Sequence, residues 1–363
     1  MLSGSQLFSI VCVVSALFYH GAFAQTLDPF TLGAFTETAT FSVANQLGFF
    51  LDQDLNVTFF VVPNSTFAYS TLLDGGFDLV IGTADNPVNL RFNSNDSLSI
   101  VGQLDLGPDI VISGIPNIAS ILDLKGKALM VDSPVSGYAF ILRDVLSLHG
   151  LQFGTDYTFQ VIGSIPSRFE ALNNGSLPDG TPVFATILTY PFTVQAAALS
   201  PPLPILARIS DFIAPFFSSS LAIRTASTNS SASTPLVRTV AALLAANRFL
   251  ADPTNQACAT AAIAAELGVP PAQAAAEYAS ATDPVSGEVS QTDFEVGRQA
   301  LLNVISVRML SAGFSGAGPS FDFADAIVPG DGALIDYRVR DAALGILKTK
   351  SSADGCPLIS GIA

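Results

Sequence analysis

The chain has 363 residues, which at roughly 150 per domain is room for about two domains. It is 49% hydrophobic and only 12% charged, with a mean hydropathy of +0.49, a composition that excludes disorder as its main state. Fifteen basic residues stand against 30 acidic ones, net −15, which argues against nucleic acid or anionic lipid as a partner because both require basic patches.

Residues 7–18 are almost unbroken apolar sequence, followed by Ala22-Phe23-Ala24 ahead of Gln25. This reads as a secretory signal peptide over 1–24, too short to span a bilayer comfortably and with no stop-transfer pattern behind it. An uncleaved anchor is the competing reading, since the segment lacks Lys and Arg. No later stretch is apolar enough to insert, so no membrane insertion is expected after cleavage, and the chain is expected to be secreted.

Cys12 leaves with the signal, and Cys258 and Cys356 remain. In an oxidising compartment two cysteines point to one disulfide; two separate buried thiols are the alternative. Sequons occur at Asn56, Asn64, Asn95, Asn174 and Asn229, which favours a eukaryotic, possibly fungal, glycoprotein over a bacterial periplasmic one.

The mature chain opens with a predicted strand over 27–35 and a helix over 38–51, with Val43, Ala44, Leu47 and Phe50 on one face. A β-rich run at 57–62, a helix at 65–73 ending in Asp74-Gly75-Gly76, and a strand at 77–81 follow. The order β-α-β-α-β predicts a parallel sheet covered on both faces. It recurs as a strand at 127–131, a helix at 138–149, a strand at 157–162, a helix at 167–173 and a strand at 183–188. Between the units, 107–114 reads as a crossing strand, and 203–209 with 220–224 carry the chain back. From about 234 onwards the chain is mostly helical, over 234–250, 254–267, 272–279 and 293–312.

Much catalytic chemistry is missing. After signal removal His149 is the only histidine, at a helix end where it supports the last turn. A Ser-His-Asp triad would have to use it, and a His-rich metal site is excluded. Two cysteines cannot alone close a structural zinc site, and no phosphate-cradling glycine motif is present, so no cofactor is expected. Glu37, Asp85, Asp105, Asp109 and Glu170 are available for carboxylate chemistry, but sequence alone places no two of them at a glycosidase separation.

In parallel α/β units, ligands sit beyond the carboxyl ends of the strands. The loops at those positions supply Phe35, Thr36 and Glu37; Asp85 and Asn86; Ser133, Ser136, Gly137 and Tyr138; and Thr189, Tyr190 and Phe192. Hydroxyls and helix N-termini there suit a polar ligand, and the aromatics suit an apolar or planar body. Each loop taken singly also reads as an ordinary cap or turn. Arg168 is the one cation nearby, with a surface helix position as the plainer reading.

Several stretches resemble a known family. They are Gln46-Leu47-Gly48-Phe49-Phe50 with Asp54-Leu55-Asn56-Val57, and Leu73-Asp74-Gly75-Gly76-Phe77-Asp78-Leu79 leading to Asp85-Asn86. Asp123-Leu124-Lys125-Gly126-Lys127, with Val131-Asp132-Ser133-Pro134-Val135-Ser136-Gly137 behind it, is the most specific. Gly150-Leu151, Gly154 with Asp156-Tyr157, and Gly163 through Arg168 to Ala171-Leu172 support it. The chain resembles the type II periplasmic-binding-protein-like family. Within it, the closest branch is that of nitrate, sulfonate and taurine receptors and pyrimidine-precursor synthases (NMT1/THI5-like, or SsuA-like).

The resemblance implies two α/β lobes hinged near 110–113 and 210–220, closing on a small molecule. Lobe one would be 25–109 plus 215–363, and lobe two 110–214. It implies a solute-binding protein akin to the substrate-binding component of ABC transporters, working as a monomer. The synthases of this branch use a histidine and a cysteine-rich motif, neither of which this chain offers at its cleft loops. A carboxylate-dependent hydrolase or lyase using Glu37 or Asp85, and a surface protein without a ligand, are the alternatives.

Overall fold

The computed structural model describes residues 26–348, apart from Pro108 and Pro319, together with Cys356. The signal segment lies outside the described residues.

The first half runs β1 (Asp28–Ala34), α1 (Ala39–Gln46), β2 (Leu55–Val61), α2 (Ser65–Leu73), β3 (Leu79–Gly82), α3 (Asp85–Asn89) and β4 (Leu98–Gln103). The middle runs β5 (Val111–Gly114), β6 (Lys127–Val131), α4 (Gly137–Leu148), β7 (Tyr157–Val161), α5 (Ile165–Asn174), β8 (Ala185–Leu188), α6 (Phe192–Ala198) and β9 (Ile205–Arg208). Then come β10 (Ser220–Arg224), α7 (Pro235–Ala251), α8 (Gln256–Leu267), α9 (Pro271–Ala281), α10 (Arg298–Leu310), α11 (Phe323–Ala326) and α12 (Arg338–Gly345).

Two five-stranded sheets result, ordered β2-β1-β3-β10-β4 and β7-β6-β8-β5-β9. β1 pairs in parallel with β2 and β3, and β6 with β7 and β8, as the β-α-β-α-β order predicts. Neither sheet is wholly parallel. β10 enters the first sheet antiparallel to β3 and β4, and β5 enters the second antiparallel to β8 and β9. These are the two strands by which the chain changes sheet, and each is inserted on arrival. The segments that cross are 104–110 and 209–219. Strands β3, β4, β5 and β8 are buried at every residue, as expected of strands covered on both faces.

Local sequence explains the helix boundaries. Thr38, Asn64, Ser136, Ser164 and Thr234 are N-caps whose side chains accept from backbone amides of α1, α2, α4, α5 and α7. α1 stops at Gln46, short of the expected end, because Gly48 takes a left-handed turn at φ 73°. The helix expected from 293 begins instead at Arg298, after Phe294 turns at φ 55°. His149 caps the C-terminus of α4, its Nδ1 2.9 Å from the Val145 carbonyl.

α7 is buried nearly all round and lies between the first sheet and α1, α8 and α12. The alanine runs allow this close approach. Cys258 on α8 is bonded to Cys356, a separation of 98 residues that ties the chain's end to this layer. On a chain-entropy account such a loop closure is worth about 4–5 kcal/mol. Of the sequons, Asn56, Asn95, Asn174 and Asn229 are exposed and Asn64 is half-buried. No helix among the described residues is long and apolar enough to cross a membrane.

Candidate functional site

The two sheets meet with the carboxyl ends of β1, β3, β6 and β8 facing one seam. Two polar contacts cross it, and a buried ion pair on one side supports the first of them. On α10, Arg308 reaches Asp85 at the start of α3 in a two-pronged fork, Nε to Oδ1 at 2.8 Å and Nη2 to Oδ2 at 2.5 Å. The same Nη2 donates to the Val135 carbonyl in the β6–α4 loop at 2.9 Å, and the guanidinium lies 4.1 Å over the Phe140 ring. The Ser65 amide at the start of α2 donates to Asp132 Oδ2, across the seam, at 3.0 Å. Gly137, at the first turn of α4, packs so closely on the α3 side that a Cβ there would meet Asp85 Cβ at 2.8 Å. Only glycine permits that approach. Burial pushes the Asp85 carboxyl above the ordinary range, and the bonds and charge of Arg308 oppose the shift.

Behind this closure lies a cavity of about 60 Å³. Phe35, Thr36 and Thr38 after β1, Ile81, Gly82 and Thr83 at the end of β3, Tyr138 on α4, and Thr189 and Tyr190 after β8 supply its strand-end wall. Asp105, Asp109 and Ile110 come from the first crossing segment, and Ser218 and Ser219 from the second. The C-terminal part adds Ser280, Ala281 and Glu288.

Of the residues singled out from the sequence, Phe35, Thr36, Tyr138, Thr189 and Tyr190 thus line one cavity. Asn86, Ser136 and Gly137 line a smaller neighbouring space with Asp132, Thr83, Phe35 and Tyr138. Asp85 sits in its guanidinium fork. Ser133 accepts from the Val135 amide in its own turn, and Phe192 packs on Phe169 with ring centroids 5.2 Å apart. Glu37 is half-buried beside the cavity, outside its wall. Arg168 is no surface residue: it is 0% exposed and donates to Thr186 Oγ1 at 3.1 Å, with Asp132 and Tyr138 as its electrostatic neighbours.

Sequence reasoning missed Ser218, Ser219, Ser280, Glu288, Glu277 and Arg308. Glu288 turns inward from the α9–α10 connection, and its Oε1 and Oε2 accept the Ala39 and Thr40 amides at 2.8 and 2.7 Å. Asn247 on α7 holds this arrangement by donating to Thr40 Oγ1 and to the Glu288 carbonyl. Glu277, on α9, is 0% exposed and faces the hydroxyl of Tyr190. A lone carboxylate in an alanine-rich helix was the available signal for it.

Burial raises three of these carboxyls: Asp105 to about 6, Glu288 to about 7 and Glu277 to about 8. Bonds from Ser219 and the Gly107 amide oppose the shift at Asp105, and bonds from Thr40 and Ala39 oppose it at Glu288. At Glu277 the Tyr190 hydroxyl opposes it, while the charges of Glu288, Asp109 and Glu37 add to it. Among the described residues, no group of three or more His, Cys, Asp or Glu side chains is placed to hold a metal ion.

Two outcomes follow. Arg308→Leu leaves Asp85 buried and unpaired, and urea unfolding should show a loss of about 3–5 kcal/mol; a loss under about 1 kcal/mol would mean that the fork contributes little. Above the ordinary carboxyl value of 4.5 and up to about 8, the folded chain holds more protons than the unfolded chain at Glu277 and Glu288. Its stability should therefore fall as pH rises through that window. Melting temperatures measured from pH 5 to 8 should decline, and Glu277→Gln should flatten the decline.

No family model matches the chain, and no curated protein does. Solved structures do. The alkanesulfonate-binding protein SsuA of Xanthomonas axonopodis pv. citri, bound to MOPS, aligns at TM-score 0.61 and 18% identity, covering 79% of this chain and 94% of its own. The periplasmic nitrate-binding protein NrtA of Synechocystis PCC 6803 aligns at TM-score 0.67 and 12% identity, covering 91% of both chains. A Candida albicans gene product described as having the generic periplasmic binding protein fold aligns at TM-score 0.59 and 14% identity, covering 90% and 97%. At these identities the likeness is one of fold: this chain has the two-lobed architecture of periplasmic binding proteins.

Proposed function

We propose that this is a secreted solute-binding protein whose lobes, 25–109 with 215–363 and 110–214, close on a small polar or aromatic molecule. The observation that carries the reading is the cavity at the seam, whose wall takes residues from strand ends of both sheets and from both crossing segments. A molecule held there touches both lobes only when they are shut, so its binding free energy favours the shut form. Alkanesulfonate and nitrate binding belong to those neighbours; the fold is what this chain shares with them.

Secretion rests on the apolar segment and small-x-small site at 1–24, and glycosylation on sequons that are exposed at four of five positions. A second reading, a carboxylate-dependent hydrolase or lyase on the same fold, draws on the raised carboxyls of Glu288 and Glu277 more than on Asp85, which is held by Arg308.

Native mass spectrometry of the mature protein, secreted from a eukaryotic host and never denatured, tests the binding reading. A bound small molecule should appear as a discrete added mass that is lost on collisional activation. Adding back the released molecule should raise the melting temperature by mass action. The reading fails if no mass is bound and a broad metabolite library gives no thermal shift. Release of a chemically altered molecule over time would favour the catalytic reading instead.

A further inference from the structure

Two of the helix contacts between the proposed lobes differ in chemistry. α10, of lobe one, packs on α4, of lobe two, within an apolar cluster that holds Val304, Val307, Phe140 and Ile141. That packing is indifferent to pH. α9, of lobe one, packs on α6, of lobe two, and there the Glu277 carboxyl meets the Tyr190 hydroxyl from the turn before α6. Glu277 is fully buried in this contact. The contact flanks the cavity, whose wall takes Tyr190 from one side of it and Ser280 and Ala281, at the end of α9, from the other.

The groups that face Glu277 are one hydroxyl, Tyr190, and three acids: Glu288 from the α9–α10 connection, Asp109 from the first crossing segment and Glu37 before α1. The elements packed on α9 bring no cation to it. α1 and α6 carry no titratable side chain, and α8 carries Glu266, which accepts from Asn45 and Gln46, besides the disulfide-bonded Cys258. On α9 itself the other titratable side chain is Tyr278, whose charged neighbour is Asp252. Arg208 lies 4.0 Å from Asp109 and answers that carboxylate.

We propose that the contact of Glu277 with Tyr190 is a proton-dependent latch: the lobes shut on this side when Glu277 carries its proton and part when it ionises. This rests on the solute-binding reading above, in which the lobes move, and adds the condition under which they shut. A protonated carboxyl against a phenol is a neutral pair that a buried contact tolerates. An ionised carboxyl there has lost its hydration, keeps one neutral donor and faces three acids. Parting α9 from α6 returns water to it.

The direction follows from linkage. In the shut form burial holds the Glu277 carboxyl up at about 8, and in water it has its ordinary 4.5. Between those values the shut form binds more protons than the open one. Closure is therefore fully favoured below 4.5 and is lost as pH rises to 8. Within that window the ratio of open to shut molecules should rise by up to about tenfold per pH unit. Tyr190 stays neutral throughout, because burial pushes its hydroxyl further up. A molecule that binds the shut form would be held in acid and released toward pH 8.

The test is the distance between two spin labels on the mature protein, read by pulsed electron paramagnetic resonance from pH 5 to pH 8. Ala197→Cys on α6 and Ala272→Cys on α9 are exposed positions on the two sides of the contact. The expected result is a reversible shift from a short to a longer distance as pH rises. Glu277→Gln should abolish the shift and stay at the short distance at both ends of the range. Asp109→Asn removes one of the facing charges and should move the shift to higher pH; should Glu277→Gln fail to fold, this variant decides. An unchanged distance across the range, the same lengthening in Glu277→Gln, or an unmoved shift in Asp109→Asn overturns the latch. None of these results overturns the solute-binding reading, which falls only on the absence of a bound mass and of any library hit in the experiments above.

Discussion

A carboxylate taken out of water costs several kcal/mol unless donors or a counter-charge meet it, and this chain buries five of them where its two sheets meet. Asp85 is met by Arg308, Asp132 by the Ser65 amide, Glu288 by the Ala39 and Thr40 amides, and Asp105 by the Gly107 amide at 2.7 Å. Glu277 faces the Tyr190 hydroxyl. The positions of α1, α2, α3 and α10 follow from these pairings, since each helix contributes either the acid or its donor. The Arg308–Asp85 pair lies within the proposed lobe one, while the Arg308 contact with the Val135 carbonyl and the Ser65 amide on Asp132 cross the seam.

The crossing segments are where fold and site coincide. A chain that leaves one sheet and returns to it must pass the seam twice, at 104–110 and 209–219. Those passages carry Asp105, Asp109, Ser218 and Ser219 to the cavity wall. A motion of one sheet against the other would pivot on these segments and so move the wall itself. On the proposed reading the binding surface and the pivot would be the same stretch of chain, which is the physical route by which a bound molecule would couple to lobe closure.

The apolar, charge-poor composition is explained by the same architecture. Strands such as β3 are covered on both faces and read as continuous apolar runs, and alanine lets α7, α8 and α9 pack closely. Such local features were legible from sequence: the β-α-β-α-β order, the Ser and Thr caps, the turn at Gly75-Gly76, and the strands at 111–114 and 220–224. What was hidden depends on partners far along the chain. β4 pairs with β10 and, through Ile100, with Ile335, and its Ser, Gly and Gln residues mask its strand character. The β-α-β-α-β order made an all-parallel sheet the natural expectation, yet the inserted strands β10 and β5 run the other way. The aromatic and hydroxyl half of the cavity wall, Phe35, Thr36, Tyr138, Thr189 and Tyr190, could be read from strand-end position. The acidic half supplied by Glu288, and the Arg308 fork, could not, because nothing local in the helical C-terminal region says which of its charged side chains turn inward.

The central claim is that the seam cavity is a binding site for a small molecule. A crystal structure of the mature protein, purified without denaturation, tests it most directly. The account predicts density for a small organic molecule in contact with Tyr138, Tyr190 and Asp105, enclosed by both lobes. A structure with the lobes shut in the same way, Arg308 still on Asp85 and only water in the cavity, would contradict it.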